Sequence, residues 1–290
     1  PSSPAFTIQS RSNLWIVKPA INSNRGKGIM VTRDYPSVQN YVRSQEGPVA
    51  IQKYIENPLL YQGRKFDIRA LCLITSIQGN FKLYWYPEGY IRTSSSQYSV
   101  DNLGDLGAHL TNDCYQKKTA EYGKFEAANK VLYSRFFKVM EFQHGHKIPQ
   151  IITDANLNQA NTLFECVDQQ MKRIAVHLVK AACWKADPKR RKATFELVGL
   201  DFMLDQDFSV KLIEANNSPS LSHSENPEMN RLLEKVMESV FELAVDPLFP
   251  PPEGSKVITT RPVGSSQFEL IFSQIADKLP ELGPADSYGY

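Results

Sequence analysis

The sequence lacks the features that mark most specialised protein classes. No apolar stretch among its 290 residues is long enough to span a bilayer, and no charged–apolar–small-residue pattern of a signal peptide stands out, so a cytosolic protein without a membrane partner is expected. Cysteine is scarce. Cys72, Cys114, Cys166 and Cys183 have the close spacing of neither a zinc knuckle nor a redox pair, and they fall in predicted strands and helices. Buried free thiols in a reducing compartment are expected rather than disulfides. An excess of one charge is missing too: 33 Lys and Arg against 31 Asp and Glu leave a net charge of +2. Any acidic partner must therefore be held by local clusters, because the average field is weak. No basic stripe is interleaved with exposed aromatics, so a nucleic-acid partner is not expected. There is no internal repeat, no Ser-His-Asp or Cys-His arrangement, and no P-loop signature.

What is present is ordinary for a globular chain: 42% hydrophobic and 22% charged residues, enough for one large domain or two joined lobes. Leu14 to Val17 and Gly28 to Val31 read as short strands around a polar, glycine-bearing tip. A helix is predicted over 34–43, and strands over 49–55, 66–76, 81–86 and 90–93, with Gly79-Asn80 as a hairpin turn. Helical periodicity covers about 119–142 and 159–184. Strands at 195–204 and 210–215 flank an Asp205-Gln206-Asp207 turn, and a helix over 227–245 follows. The prolines of 248–254 suggest a linker, and 267–279 a short amphipathic helix. The predicted class is α+β with mainly antiparallel strands.

Four groups of residues suggest chemistry. Lys18 precedes Arg25-Gly26-Lys27-Gly28, where glycines free the backbone to bend around an anion and two cations suit phosphates; an exposed hairpin tip reads similarly. On a strand, Lys65, Asp67 and Arg69 share one face while Phe66 and Ile68 share the other. Three charges on one face call for a ligand or for one another, so nucleotide and carboxylate binding stands beside a structural salt-bridge ladder. Asp201, Glu214 and Asn216 lie on neighbouring strands amid Leu, Val, Phe and Ile, an oxygen donor set suited to Mg2+; a solvated edge strand is the alternative. Arg92 at a strand end suits a bidentate grip on a carboxylate or phosphoryl oxygen, and His109 reads as a general base or as a structural histidine.

Taken in order, LWIVKPAINSNRGKGI, IQKYIENPLLYQGRKFDIR, YPEGYIRTSS, HLTN, FELVGLDFML and LIEANNSPS resemble the tubulin tyrosine ligase and ligase-like family of ATP-grasp enzymes. The resemblance implies two mainly antiparallel lobes with ATP between them. Residues 1–50 would belong to a central lobe, 51–250 to a carboxy-terminal lobe carrying the ATP and Mg2+ site, and 251–290 to a proline-rich linker and tail. The family usually has more chain before the first strand, so with Pro1 in first position either a fragment lacking its amino-terminal lobe or an unusual family member is expected.

By the same resemblance, Lys18, Lys65, Arg25, Gly26, Lys27 and Gly28 would hold ATP phosphates, and Gln52, Lys53, Tyr54 and Ile55 would frame the adenine. Asp67, His109, Thr111, Asn112 and Ile213 would line the nucleotide and amino-acid side. Asp201, Glu214 and Asn216 would hold Mg2+, Arg69 and Arg92, with Asp67 beside them, would bind substrate carboxylates, and Lys65, Arg69 and Arg92 would be the catalytic charges. The implied reaction activates a carboxylate of the acidic carboxy-terminal tail of tubulin as an acylphosphate, and a free amino acid then displaces phosphate.

Tyrosine is the first expectation for that amino acid, glutamate the second and glycine the third. A non-catalytic microtubule-binding protein is the rival of another class. Lys185 and the basic run Lys189-Arg190-Arg191-Lys192 read equally as a dock for the acidic tail or as a solvated loop. A monomer associated with microtubules, in cytoplasm or cilium, completes the expectation.

Overall fold

The computed structural model describes residues 13–20, 28–77, 80–186, 193–250 and 266–275. In chain order the regular elements are β1 (Trp15–Pro19), β2 (Met30–Thr32), α1 (Tyr35–Ser44), β3 (Val49–Lys53), β4 (Leu60–Tyr61), β5 (Arg64–Ile77), β6 (Asn80–Trp85), β7 (Tyr90–Gln97), α2 (Leu106–His109), α3 (Asp113–Gln116), β8 (Lys130–Leu132), α4 (Tyr133–His144), α5 (Ile148–Asp154), α6 (Leu163–Ala186), β9 (Ala193–Leu204), β10 (Val210–Asn217), α7 (Pro227–Val240) and β11 (Glu269–Ile275). The class is α+β. Strand β1 is antiparallel to β2 and β3, β5 to β4, β6 and β9, and β6 to β11.

The chain forms two compact units: Pro1–Asp67, Ile91–Val131 and Met203–Ser209 make the first, and Ile68–Tyr90, Leu132–Phe202 and Val210–Tyr290 the second. In the first, β2-β1-β3 is a three-stranded sheet. Its core holds Leu14, Val31 and Tyr54, with Ile16, Tyr98, Val100 and Leu103 against them. Helix α1 starts where Asp34 accepts from Ser37 N at 2.9 Å, capping an otherwise orphaned amide. Gln62 and Gly63, with φ of 52° and 77°, turn β4 into β5; two consecutive left-handed residues suit a tight hairpin.

In the second unit the strand order is β10-β9-β5-β6-β11. Strand β5 is buried along nearly its whole length, and its alternation divides its apolar side chains between two coverings. Leu71 and Leu73 meet Met229, Leu232, Leu233, Val236 and Val240, one stripe of α7. Cys72 and Ile74 share the opposite side with Ala175, Val179 and Cys183 of α6. A strand covered on both faces reads as an unbroken hydrophobic run, which is the pattern of 70–74. Asn226 caps α7, accepting from Glu228 N at 3.0 Å and Met229 N at 3.3 Å.

Two expectations are corrected. The helix predicted over 119–142 is broken: Gly123, Ala128 and Asn129 have φ of 75°, 55° and 51°, and a short 3-10 turn and β8 precede α4. The amphipathic helix predicted from 267 is instead strand β11 as far as Ile275, because Leu270 to Ile275 add to the edge of β6, whose ladder outweighs a weak helical period. All four cysteines are free thiols, three of them buried, as expected. Among the described residues no helix is long and apolar enough to cross a membrane.

Candidate functional site

In the first unit, β5 carries Lys65 and Asp67, both buried, into a group of polar side chains. Lys65 Nζ donates to Tyr54 Oη at 2.7 Å, and Tyr54 Oη lies 2.9 Å from His109 Nδ1. His109 Nε2 lies 3.2 Å from the carbonyl oxygen of Asn102. Among the described residues, no carboxylate lies within ion-pair distance of Lys65. Burial pulls the Lys65 ammonium down to about 7, with the nearby charge of Asp67 opposing the shift. Burial also lowers His109, and the charge of Lys65 lowers it further.

Asp67 is committed elsewhere. Its Oδ1 accepts from Arg92 Nε at 2.7 Å and its Oδ2 from the Thr111 hydroxyl. Arg92 extends from β7 and is only partly buried. Next to Thr111, the amide oxygen of Asn112 is buried and has no hydrogen-bond partner among the described residues, although Asn112 stands at the N-cap of α3. A buried orphaned acceptor is costly, and a bound ligand bearing an N–H group or a cation would satisfy it. This is the observation by which the residues present fit a nucleotide.

The adenine-framing candidates fall at the end of β3. Gln52 and Lys53 are exposed, Tyr54 is buried, and Ile55 is partly buried. Lys53 forms an ion pair with Glu56 at 2.5 Å. Lys18, on β1, lies opposite Ala50 in the β1–β3 register and is partly buried. Gly28 adopts φ +76° and its carbonyl accepts from Tyr41 Oη at 2.5 Å. Arg25, Gly26 and Lys27 lie outside the described residues, as do Lys189, Arg190, Arg191 and Lys192.

In the second unit, antiparallel register sets Arg69 of β5 directly opposite Asp201 of β9. Arg69 Nε and Nη2 reach Asp201 Oδ1 and Oδ2 at 2.5 and 3.0 Å, a buried two-pronged pair. Gly199 makes room for it: a Cβ there would lie 3.1 Å from Arg69 Nη1 and 3.0 Å from Pro219. Tyr133 Oη donates to the Arg69 carbonyl at 3.1 Å. On β10, Asn216 Nδ2 donates to Asp201 Oδ2 at 3.2 Å and to the exposed Glu214 Oε1 at 3.1 Å. Ile213 is partly buried beside them.

The three Mg2+ candidates therefore converge. Two carboxylates and one amide are oxygen donors of the kind a hard cation takes, and the Asn216 amide would turn its oxygen inward to join them. Among the described residues no group of three or more His, Cys, Asp or Glu converges as a metal centre, so this cluster depends on its asparagine.

The charged face of β5 is thus neither one ladder nor one open site. Phe66 and Ile68, read as the core side, and Lys65, Asp67 and Arg69, read as the ligand side, are all buried. Sequence reasoning gave Tyr54 only as backbone for an adenine ring and missed its phenol between Lys65 and His109. It also missed the buried Arg64–Glu126 pair. Apart from the family resemblance, nothing in the sequence ties residues so far apart.

The profile of the tubulin-tyrosine ligase family matches residues 4–253. The chain is similar to tubulin glycylase 3D of Tetrahymena thermophila, 30% identical over 95% of this chain and 25% of that protein. It is similar to the inactive polyglycylase TTLL10 of Homo sapiens, 30% identical over 96% of this chain and 41% of the relative. It is also similar to protein monoglycylase TTLL8 of Homo sapiens, 31% identical over 84% of this chain and 27% of the relative. The chain spans less than half the length of each. With a match over most of its residues, the chain belongs to the tubulin-tyrosine ligase family.

Proposed function

We propose that this chain is the catalytic core of an ATP-dependent ligase that joins glycine to a carboxylate of the tubulin carboxy-terminal tail. Tyrosine stood first on sequence alone. The relatives reported above are named glycylases, one of them inactive, and that moves glycine ahead of tyrosine and glutamate.

The observation that carries the reading is the burial of Lys65, a cation that donates to a phenol and, among the described residues, forms no ion pair, within a chain of this family. An anionic ligand is the natural complement of such a group. Lys65 and Lys18 would bind the ATP phosphates, with Gly28 and the loop before it. The orphaned Asn112 amide and His109 would meet the nucleotide or the amino acid. Arg92 would grip the acceptor carboxylate and stabilise negative charge developing during transfer. Arg69, paired with Asp201, would fix the orientation of that carboxylate. Asp201, Glu214 and Asn216 would hold Mg2+, which when bound neutralises phosphate charge.

In the reaction so read, a tail carboxylate oxygen bonds to the γ-phosphorus as the bond to ADP breaks. The glycine nitrogen then bonds to the acyl carbon, phosphate leaves with the carbon–oxygen bond pair, and the amine proton passes to solvent. Position and charge supply the catalysis.

The test is incubation of the chain with ATP, Mg2+, tubulin and labelled glycine, tyrosine or glutamate, followed by mass analysis of the tails. Glycine incorporation is expected. Incorporation of tyrosine or glutamate instead overturns the choice of amino acid. Nucleotide binding with no incorporation of any of them favours the non-catalytic microtubule-binding reading; one relative is named an inactive polyglycylase.

A further inference from the structure

Tyr54, Lys65 and His109 are buried to within a few per cent, and their polar heads form one line. The direction of each hydrogen bond follows from its ends. The Asn102 carbonyl can only accept, so His109 Nε2 carries a hydrogen toward it. With Nε2 protonated in a neutral ring, Nδ1 is an acceptor, and the Tyr54 hydroxyl must donate to it. The Tyr54 oxygen is then left to accept from the Lys65 ammonium, which has hydrogens only to give.

We propose that Tyr54 is a positioning residue whose phenol couples Lys65 to His109, holding the ammonium toward bound phosphate only while His109 is neutral. A hydrogen on Nδ1 would set imidazolium and ammonium as competing donors to one phenol oxygen, so the two positive charges exclude each other across the tyrosine. The inference rests on the reading of Lys65 as a phosphate grip.

The surroundings fit such a coupling. The Tyr98 ring centroid lies 6.0 Å from Lys65 Nζ and 5.6 Å from the His109 ring, and its hydroxyl donates to the Glu56 carbonyl rather than to either. The titratable groups near the line are Asp67, engaged by Arg92 and Thr111, Asp105 before α2, which favours His109 protonation, and Tyr98 with Glu56 beyond it. Burial holds both Lys65 and His109 below their ordinary ranges, in the direction that keeps His109 neutral at pH 7.

The experiment combines side-chain NMR with nucleotide binding. In the unliganded wild-type chain, 15N shifts of His109 should report a neutral ring with hydrogen on Nε2, and the Lys65 13Cε resonance should titrate near 7. Tyr54→Phe keeps the ring but removes the phenol. It should move the Lys65 midpoint down and weaken ADP binding at pH 7 on the order of tenfold, with a smaller loss at lower pH, where the ammonium is restored. A wild-type His109 carrying its hydrogen on Nδ1 overturns the coupling, whether or not the variant folds. So does a Lys65 midpoint unmoved in a folded Tyr54→Phe chain. Lys65→Met that binds ADP as tightly as wild type would instead sink the phosphate reading of Lys65, leaving the NMR results to stand or fall separately.

Discussion

The two buried charge clusters solve one physical problem in opposite ways. In the second unit Arg69 and Asp201 stand opposite each other on paired strands and close on one another through two hydrogen bonds. In the first, Lys65 is equally buried, but among the described residues it donates to a neutral phenol and forms no ion pair, because its near neighbour Asp67 is occupied by Arg92 and Thr111. A closed pair compensates its own opposite charges, and its removal in part should be felt as lost stability. A cation left with a hydroxyl is destabilising in the free chain, and the cost is relieved by loss of its proton or by a bound anion. Burial alone therefore does not tell whether a charge is already compensated in the free chain; the partner does.

The largest expected effect strikes the closed pair. Asp201→Ala removes the carboxylate that closes on the buried Arg69 guanidinium, which should cost about 3–5 kcal/mol in denaturant unfolding. A loss below 1 kcal/mol would mean that Arg69 finds another anion and that the contrast between the clusters is false. Lys65→Met should act in the other direction. Removing a desolvated ammonium should stabilise the free chain by about 1–3 kcal/mol at pH 7 while abolishing ADP binding.

The sign of the pH dependence follows from the lowered value of Lys65. Between about 7 and the ordinary 10.5, the folded chain has released a proton that the unfolded chain still holds, so the unfolding free energy rises with pH across that window. Below about 7 the full cost of the buried ammonium is present. Lys65→Met should remove this slope, and urea midpoints at pH 6.5, 8 and 9.5 would reveal it. An unchanged slope would place the titration elsewhere.

Much of the framework was legible in the sequence because strands announce themselves through alternation and turns through glycine. The strands around Val17, Leu71, Leu83 and Leu200, and the helix that starts at Pro227, lie where periodicity put them. Strand β11 was not legible, since its pairing with β6 is a long-range event that local helical spacing cannot report. The same division runs through the site. Lys65, Asp67 and Arg69 stood out as charges within an apolar run, but which of them would be paired depended on Arg92, Thr111 and Asp201. Tyr54 was read only as part of the adenine frame, because what its oxygen touches is not visible in the sequence.

Smaller substitutions probe how the closed pair is held. Gly199→Ala puts a Cβ 3.1 Å from the Arg69 guanidinium and 3.0 Å from Pro219, so Arg69 must shift; a loss of about 1–3 kcal/mol is expected, with ADP affinity unchanged. Tyr133→Phe should have the least effect. It removes one buried hydroxyl donating to the Arg69 carbonyl, and with the strand register intact about 1 kcal/mol should be lost. The pair itself is made by the guanidinium, not by that carbonyl, so the Asp201→Ala penalty should be the same in the Tyr133→Phe background as in wild type. A double-mutant cycle measures this directly. A coupling above 1 kcal/mol would show that the Arg69–Asp201 pair depends on its support from α4, and that the closed cluster is less self-sufficient than its two hydrogen bonds imply.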